Sequence, residues 1–159
     1  MCGTWGMRVK ADVELLQQIP LFSNSEAVHL QLLAFSAQSV ELEKGSFLFR
    51  KGEQGAAAYL VLEGAAEVFD DEQATGEVIA TAEGGALLGE LSMIANAAYG
   101  VTVKTASVLK AKKIDRGLFI RLAAEFPEFG MGVMRNIALR LGRSVDRLNA
   151  LRPIFQSSP

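Results

Sequence analysis

Apolar residues first recur along the chain at helical spacing. Val13, Leu15, Leu16 and Ile19 follow Asp12, a residue type that caps helices, and Pro20 stops the run. Val28, Leu30, Leu32 and Leu33 mark a second helix over 26–35, opened by Ser23 or Ser25. After Ala37 the period changes. Ser39-Val40-Glu41-Leu42-Glu43 alternates polar and apolar, as a half-buried strand does. Further strands are predicted at Phe47-Leu48-Phe49-Arg50, Tyr59-Leu60-Val61-Leu62, Ala66-Glu67-Val68-Phe69 and Glu77-Val78-Ile79-Ala80-Thr81, with Asp70-Asp71-Glu72 as a hairpin tip. Gly84-Gly85 leads into Ala86-Leu87-Leu88, and Gly89 to Ile94 reads as a turn or two of helix. Two more β-rich segments follow, 101–105 and 108–114. Asp115 then caps a helix from Arg116 to Glu125, and Pro127 breaks it. Turns every eight to twelve residues point to an all-β sandwich or barrel.

The last long element spans 128–151. Met134, Ile137, Leu141, Ser144, Leu148 and Leu151 follow alternating spacings of three and four, a heptad-like seam beside the small residues Ala138, Gly142 and Val145. Such a seam either docks on the barrel or pairs two copies of the chain. The expectation carried forward is a homodimer through Met134, Ile137, Leu141 and Leu148, with Pro153 ending the helix. The organisation expected is a leader over 1–11, one domain over 12–152 that includes the terminal helix 128–152, and a tail over 153–159.

Composition narrows the chemistry. The 159 residues are 50% hydrophobic, enough for one packed domain. The net charge of −2 conceals an asymmetry: residues 52–103 carry nine acids and no Lys or Arg, whereas 104–159 are basic. A uniformly basic nucleic-acid binder is disfavoured. One cysteine and one histidine, Cys2 and His29, exclude a disulfide framework and a Cys- or His-based metal cluster, so no metal is expected. No apolar run approaches a membrane span, and the N-terminus lacks a signal-peptide core. The expectation is a cytoplasmic protein. No nucleophile–base pairing and no phosphate-cradling Walker loop is present, so the chain is not expected to be an enzyme. The acidic tip at 70–72 lacks the ligand spacing of a calcium loop.

Three segments resemble one family. The first is Lys51-Gly52-Glu53-Gln54-Gly55 with Tyr59-Leu60-Val61-Leu62-Glu63-Gly64. The second runs from Gly84 through Gly89-Glu90-Leu91-Ser92-Met93-Ile94. The third is Val101-Thr102-Val103 with Ile114-Asp115-Arg116. Together, in this order and spacing, they resemble the cyclic nucleotide-binding domain, as in catabolite activator protein, kinase regulatory subunits and gated channels. The resemblance covers roughly residues 12–150. It implies a mainly β fold with flanking helices: an eight-stranded double-stranded β-helix, jelly-roll-like, with N-terminal helices and a long C-terminal helix. It also implies a ligand, cyclic AMP or cyclic GMP. The ligand would lie against Leu88, Gly89, Glu90, Leu91, Ser92, Tyr99 and Gly100, in the segment that resembles the phosphate-binding cassette. Gly89 allows close backbone approach, the first N–H groups of the following helical turn can face an anion, and Glu90 can accept from a ribose hydroxyl.

One departure matters. In the family an Arg follows the cassette helix and pairs with the cyclic phosphate. Here that position is Tyr99, and the Pro before it is Ala98. A hydrogen bond to a charged group contributes about 1.5–3 kcal/mol, or roughly 10- to 150-fold in affinity. Tyr99 either donates one hydrogen bond to phosphate or fills the pocket. Two functions follow from the resemblance. The first is a non-enzymatic cyclic nucleotide sensor, signalling through its C-terminal helix to an effector protein. The other is a degenerate fold used for protein–protein contact. In the transcription-factor branch a winged helix-turn-helix follows the long helix; no such DNA-binding domain is expected here.

Overall fold

Strand patterning places two hydrophobic cores on the two sides of one sheet. The computed structural model describes the backbone of residues 2–156 and the side chains of residues 9–143. Among the described residues, α1 (Cys2–Gln18), a 3₁₀ turn (Pro20–Phe22) and α2 (Ala27–Ser36) lead into β1 (Gln38–Leu42), β2 (Phe47–Phe49), β3 (Ala57–Glu63), β4 (Ala66–Phe69), β5 (Val78–Ala82) and β6 (Leu87–Leu88). The short α3 (Glu90–Ala95) precedes β7 (Thr102–Thr105) and β8 (Leu109–Asp115). The helices α4 (Arg116–Glu125) and α5 (Pro127–Gln156) follow. The strands form two antiparallel four-stranded sheets, ordered β1-β8-β3-β6 and β2-β7-β4-β5. This is the jelly-roll-like β fold with flanking helices that the sequence predicted, including the helix inserted before the last two strands.

Alternation within β3 explains the layering. Ala58, Leu60 and Leu62 turn outward onto a helical core built from Leu16, Leu30, Leu33, Phe119, Phe129 and their neighbours. Tyr59 and Val61 turn inward, onto a second core with Phe49, Tyr99, Val103 and Leu109. Successive strand residues face opposite sides, so one sheet serves both cores. Two buried threonines tie loops to β7: Thr102 Oγ1 accepts from the Lys51 N–H, and Thr105 Oγ1 accepts from the Ser46 N–H while donating to the Glu43 carbonyl.

Several sequence expectations are corrected. The first helix begins at Cys2, inside the segment read as a leader. Gly3 and Gly6 lower helix propensity and disguise it. Asp12 is therefore no cap; it lies mid-helix, buried, with its carboxylate 4.0 Å from Lys112 Nζ on β8. The second helix starts after Glu26, and no side chain caps it. The terminal helix continues through Pro153 to Gln156; so close to the end, the missing proline N–H removes a single hydrogen bond. Pro127 occupies the first helical position of α5, where no N–H is required. Asp115 caps α4 as expected, its carboxylate accepting from the Leu118 N–H at 2.7 Å. His29 is buried, its ring 4.7 Å from that of Phe126.

Candidate functional site

The cassette residues lie where β6 gives way to α3. Leu88 ends β6 on the inward face, opposite Tyr59. Gly89 then takes a left-handed conformation, φ +78°, and turns the chain into α3. Glycine is needed there for two reasons. The conformation disfavours a side chain, and an added Cβ would lie 2.8 Å from Tyr99 Cε1 and 3.1 Å from Phe49 Cε1. Glu90, Leu91 and Ser92 form the first turn of α3. The far end of α3 is closed by Arg116, whose guanidinium donates to the carbonyls of Met93 and Ile94.

The 51–55 loop is stitched to this segment. The Gly52 N–H donates to the Tyr99 carbonyl, the Tyr99 N–H to the Glu53 carbonyl, and the Gly55 N–H to the Ala97 carbonyl. A Cβ on Gly55 would stand 2.5–2.6 Å from backbone atoms of Ser92 and Ala97. The first two segments of the family resemblance thus form one unit in space.

Tyr99 points into the β-roll. Its ring is stacked on Phe49, centroids 3.9 Å apart and planes 12° from parallel. Its hydroxyl donates to the Ala57 carbonyl at 2.5 Å and accepts from the Ala57 N–H at 3.1 Å. Burial pushes the phenol pKa up. Ring and hydroxyl are thus both engaged within the protein.

Glu90 is drawn the other way. Its carboxylate lies 3.6 Å from the Arg140 guanidinium on α5, with the Glu90 side chain only 17% exposed. The α5 helix is anchored again by Asn136, which donates to the carbonyls of Leu21 and Ser23. Leu91 turns its side chain away from the roll into an apolar cleft of about 1170 Å³ between α3, α4 and α5. Ser92 Oγ donates to the Ala98 carbonyl at 3.3 Å, and a Cβ added at Gly100 would stand in open space. The cleft is also lined by Met134, Ile137 and Leu141 of the seam. Met134 and Leu141 are exposed there, while Ile137 packs partly on the helical core. Leu148 and Leu151 lie outside the residues whose side chains are described.

Sequence reading missed Phe49, Ala57 and Arg140. Phe49 carried only a strand signal, Ala57 contributes backbone, and Arg140 was one of several arginines on a long helix. Among the described residues no group of three His, Cys, Asp or Glu could hold a metal ion, and no helix is long and apolar enough to cross a membrane.

Comparison with known proteins agrees with the architecture. A family model described as "Cyclic nucleotide-binding domain" matches residues 39–126, more than half of the chain. A cAMP-dependent protein kinase regulatory subunit of Schizosaccharomyces pombe is 30% identical over 122 residues, which are 77% of this chain but 28% of that protein. The N-terminal domain of a transcriptional regulator from Streptomyces coelicolor superposes with a TM-score of 0.75 at 25% identity, over 83% of this chain and 95% of that one. A cyclic nucleotide-binding-like protein from Brucella abortus gives a TM-score of 0.66 at 28% identity, over 72% and 98% of the two chains. The chain thus spans less than a third of the length of the kinase subunit it resembles.

Proposed function

The chain belongs to the cyclic nucleotide-binding domain family, and from that premise we propose that it is a non-enzymatic regulatory module that reports through α5 and binds cyclic AMP and cyclic GMP only weakly. One observation carries the second half of this reading: Tyr99 stands where the family resemblance places a phosphate-pairing Arg, and its hydroxyl is committed to Ala57. To meet a phosphate the hydroxyl would have to leave both backbone partners, orphaning buried groups at about 1–3 kcal/mol. Even then it would supply no charge. The left-handed turn at Gly89 is retained, and the Glu90 carboxylate reaches a ligand only on release from Arg140; the retained turn supports a surviving ligand chamber.

The output follows from the Glu90–Arg140 pair. A ligand hydroxyl that takes Glu90 competes with Arg140, and so favours positions of α5 in which this link is open. Such a ligand shifts α5 only by the difference in its affinity for the two arrangements. Calorimetric titration with cyclic AMP and cyclic GMP tests the reading; micromolar binding by the native chain would overturn it.

A second reading, a protein-contact module that takes no nucleotide, is favoured by the exposed apolar cleft along α3, α4 and α5. It predicts no heat with either nucleotide, even for Tyr99→Arg. Under both readings we propose that the seam bearing Met134 and Leu141 pairs two copies of the chain.

A further inference from the structure

The inward face of the β1-β8-β3-β6 sheet contains a cation that residues 52–103 do not supply. Val40, Ala111 and Val61 are register partners across β1, β8 and β3, and all three pack in the inner core. Two residues along each strand the same face recurs. The next inward row is therefore Gln38, Lys113, Tyr59 and Leu88, again paired in register across all four strands. Lys113 accordingly shares a face with Tyr59 and Leu88, beside the cassette turn, while its neighbour Lys112 turns outward to Asp12 and Ser39.

The surroundings of Lys113 suit an anion with an apolar body. Its ammonium lies over the Tyr59 ring, 6.0 Å from the centroid. Tyr59 in turn is 6.2 Å from Phe49, which stacks on Tyr99. Ion pairs among the described residues engage Lys51, Lys110, Lys112 and Arg140, and none takes Lys113, which is half-buried. The Glu53 charge also acts on Tyr59, but Glu53 is exposed, so the cation is the more enclosed of the two charges. The field of Lys113 reaches the Tyr99 hydroxyl, where it opposes the upward pull of burial. A half-buried ammonium that lies over the face of a ring and, among the described residues, in no ion pair gains from an incoming anion.

We propose that Lys113, reaching in from β8, is the cationic partner of the ligand in this β-roll, taking the part that residue 99 cannot play. The ligand class is a small molecule carrying one carboxylate or phosphate on an apolar or aromatic body, the body resting on Tyr59 and Leu88. This rests on the reading above that the roll remains a ligand chamber.

The test uses the full chain with isotope-labelled lysine and backbone amides, followed by NMR during titration with cyclic AMP and, separately, with uncharged adenosine at millimolar concentration. The Lys113 side-chain signal is expected to shift saturably with cyclic AMP and to stay fixed with adenosine. Lys113→Met is expected to weaken cyclic AMP binding about tenfold or more, and Lys113→Arg to restore it. If the Gly89 and Ser92 amides respond while Lys113 does not, and Lys113→Met binds like the native chain, the assignment of Lys113 is overturned and the ligand chamber stands. If no signal responds to either compound, both fall.

Discussion

Tyr99 and Phe49 lie face to face, ring centroids 3.9 Å apart, and the Tyr99 hydroxyl closes a two-way hydrogen bond with the backbone of Ala57. The stack joins β2 to the segment after α3, and the hydroxyl joins that segment to the start of β3. Tyr99→Phe keeps the ring and removes both hydrogen bonds, leaving the Ala57 N–H and carbonyl buried without this partner. A loss of about 1–3 kcal/mol is expected. Urea unfolding measures it; an unchanged midpoint would show that the hydroxyl is not a structural group.

Gly89 is the pivot beneath that stack. Gly89→Ala places a methyl in a left-handed conformation and against two stacked rings. The conformation alone costs about 1–2 kcal/mol, and displacement of the stack adds to it. A thermal midpoint equal to that of the native chain would contradict the close approach of the cassette backbone to Tyr99.

The Glu90–Arg140 contact links the cassette to α5. Arg140 is about half exposed although Glu90 is largely covered, and the 3.6 Å separation is long, so the pair stabilises by about 1 kcal/mol, the upper end for a solvent-accessible ion pair. Arg140→Gln should therefore lower stability by no more than about 1 kcal/mol while raising hydrogen exchange in α5. Unaltered exchange throughout α5 would remove the proposed link between cassette and output helix.

Asp12 gives the fold a pH dependence of definite sign. Burial raises its pKa above the usual 3.8, and the Lys112 charge offsets this only in part. For a group raised in the folded state, the stabilising contribution is complete below the unfolded value and is lost as pH rises through the folded value. Asp12→Asn should flatten that decline just above pH 3.8 and match or exceed the native melting temperature at neutral pH. Parallel melting curves for the two proteins would count against it.

Association through the seam is tested by light scattering. The proposal predicts a particle of twice the 17.1 kDa chain mass, reduced to one chain by Leu141→Glu. A 17.1 kDa particle for the native protein at high concentration would refute it.

The order of strands and flanking helices was legible in the sequence because the change of period after Ala37 is strong. Alternation in 39–43 and the turn glycines mark strands, and Asp115 marks a cap. The first helix was not legible, because Gly3 and Gly6 mask helical spacing and Asp12 resembles a cap when it is in fact a buried partner of Lys112. The position of Tyr99 in the cassette could be counted from Gly89-Glu90. Its hydrogen bonds could not, since Ala57 is 42 residues away and contributes only backbone. Arg140 and Lys113 reach the site from distant elements, and no local pattern distinguishes them from surface cations.

Under the proposed function, Tyr99 leaves the cassette without a phosphate-pairing charge of its own. Calorimetric titration of cyclic AMP into the native chain and into Tyr99→Arg, with both shown to be folded, tests this most directly. At most millimolar affinity is expected for the native chain, and an affinity about tenfold or more higher for the variant. Micromolar binding by the native chain, unimproved by the substitution, would contradict it.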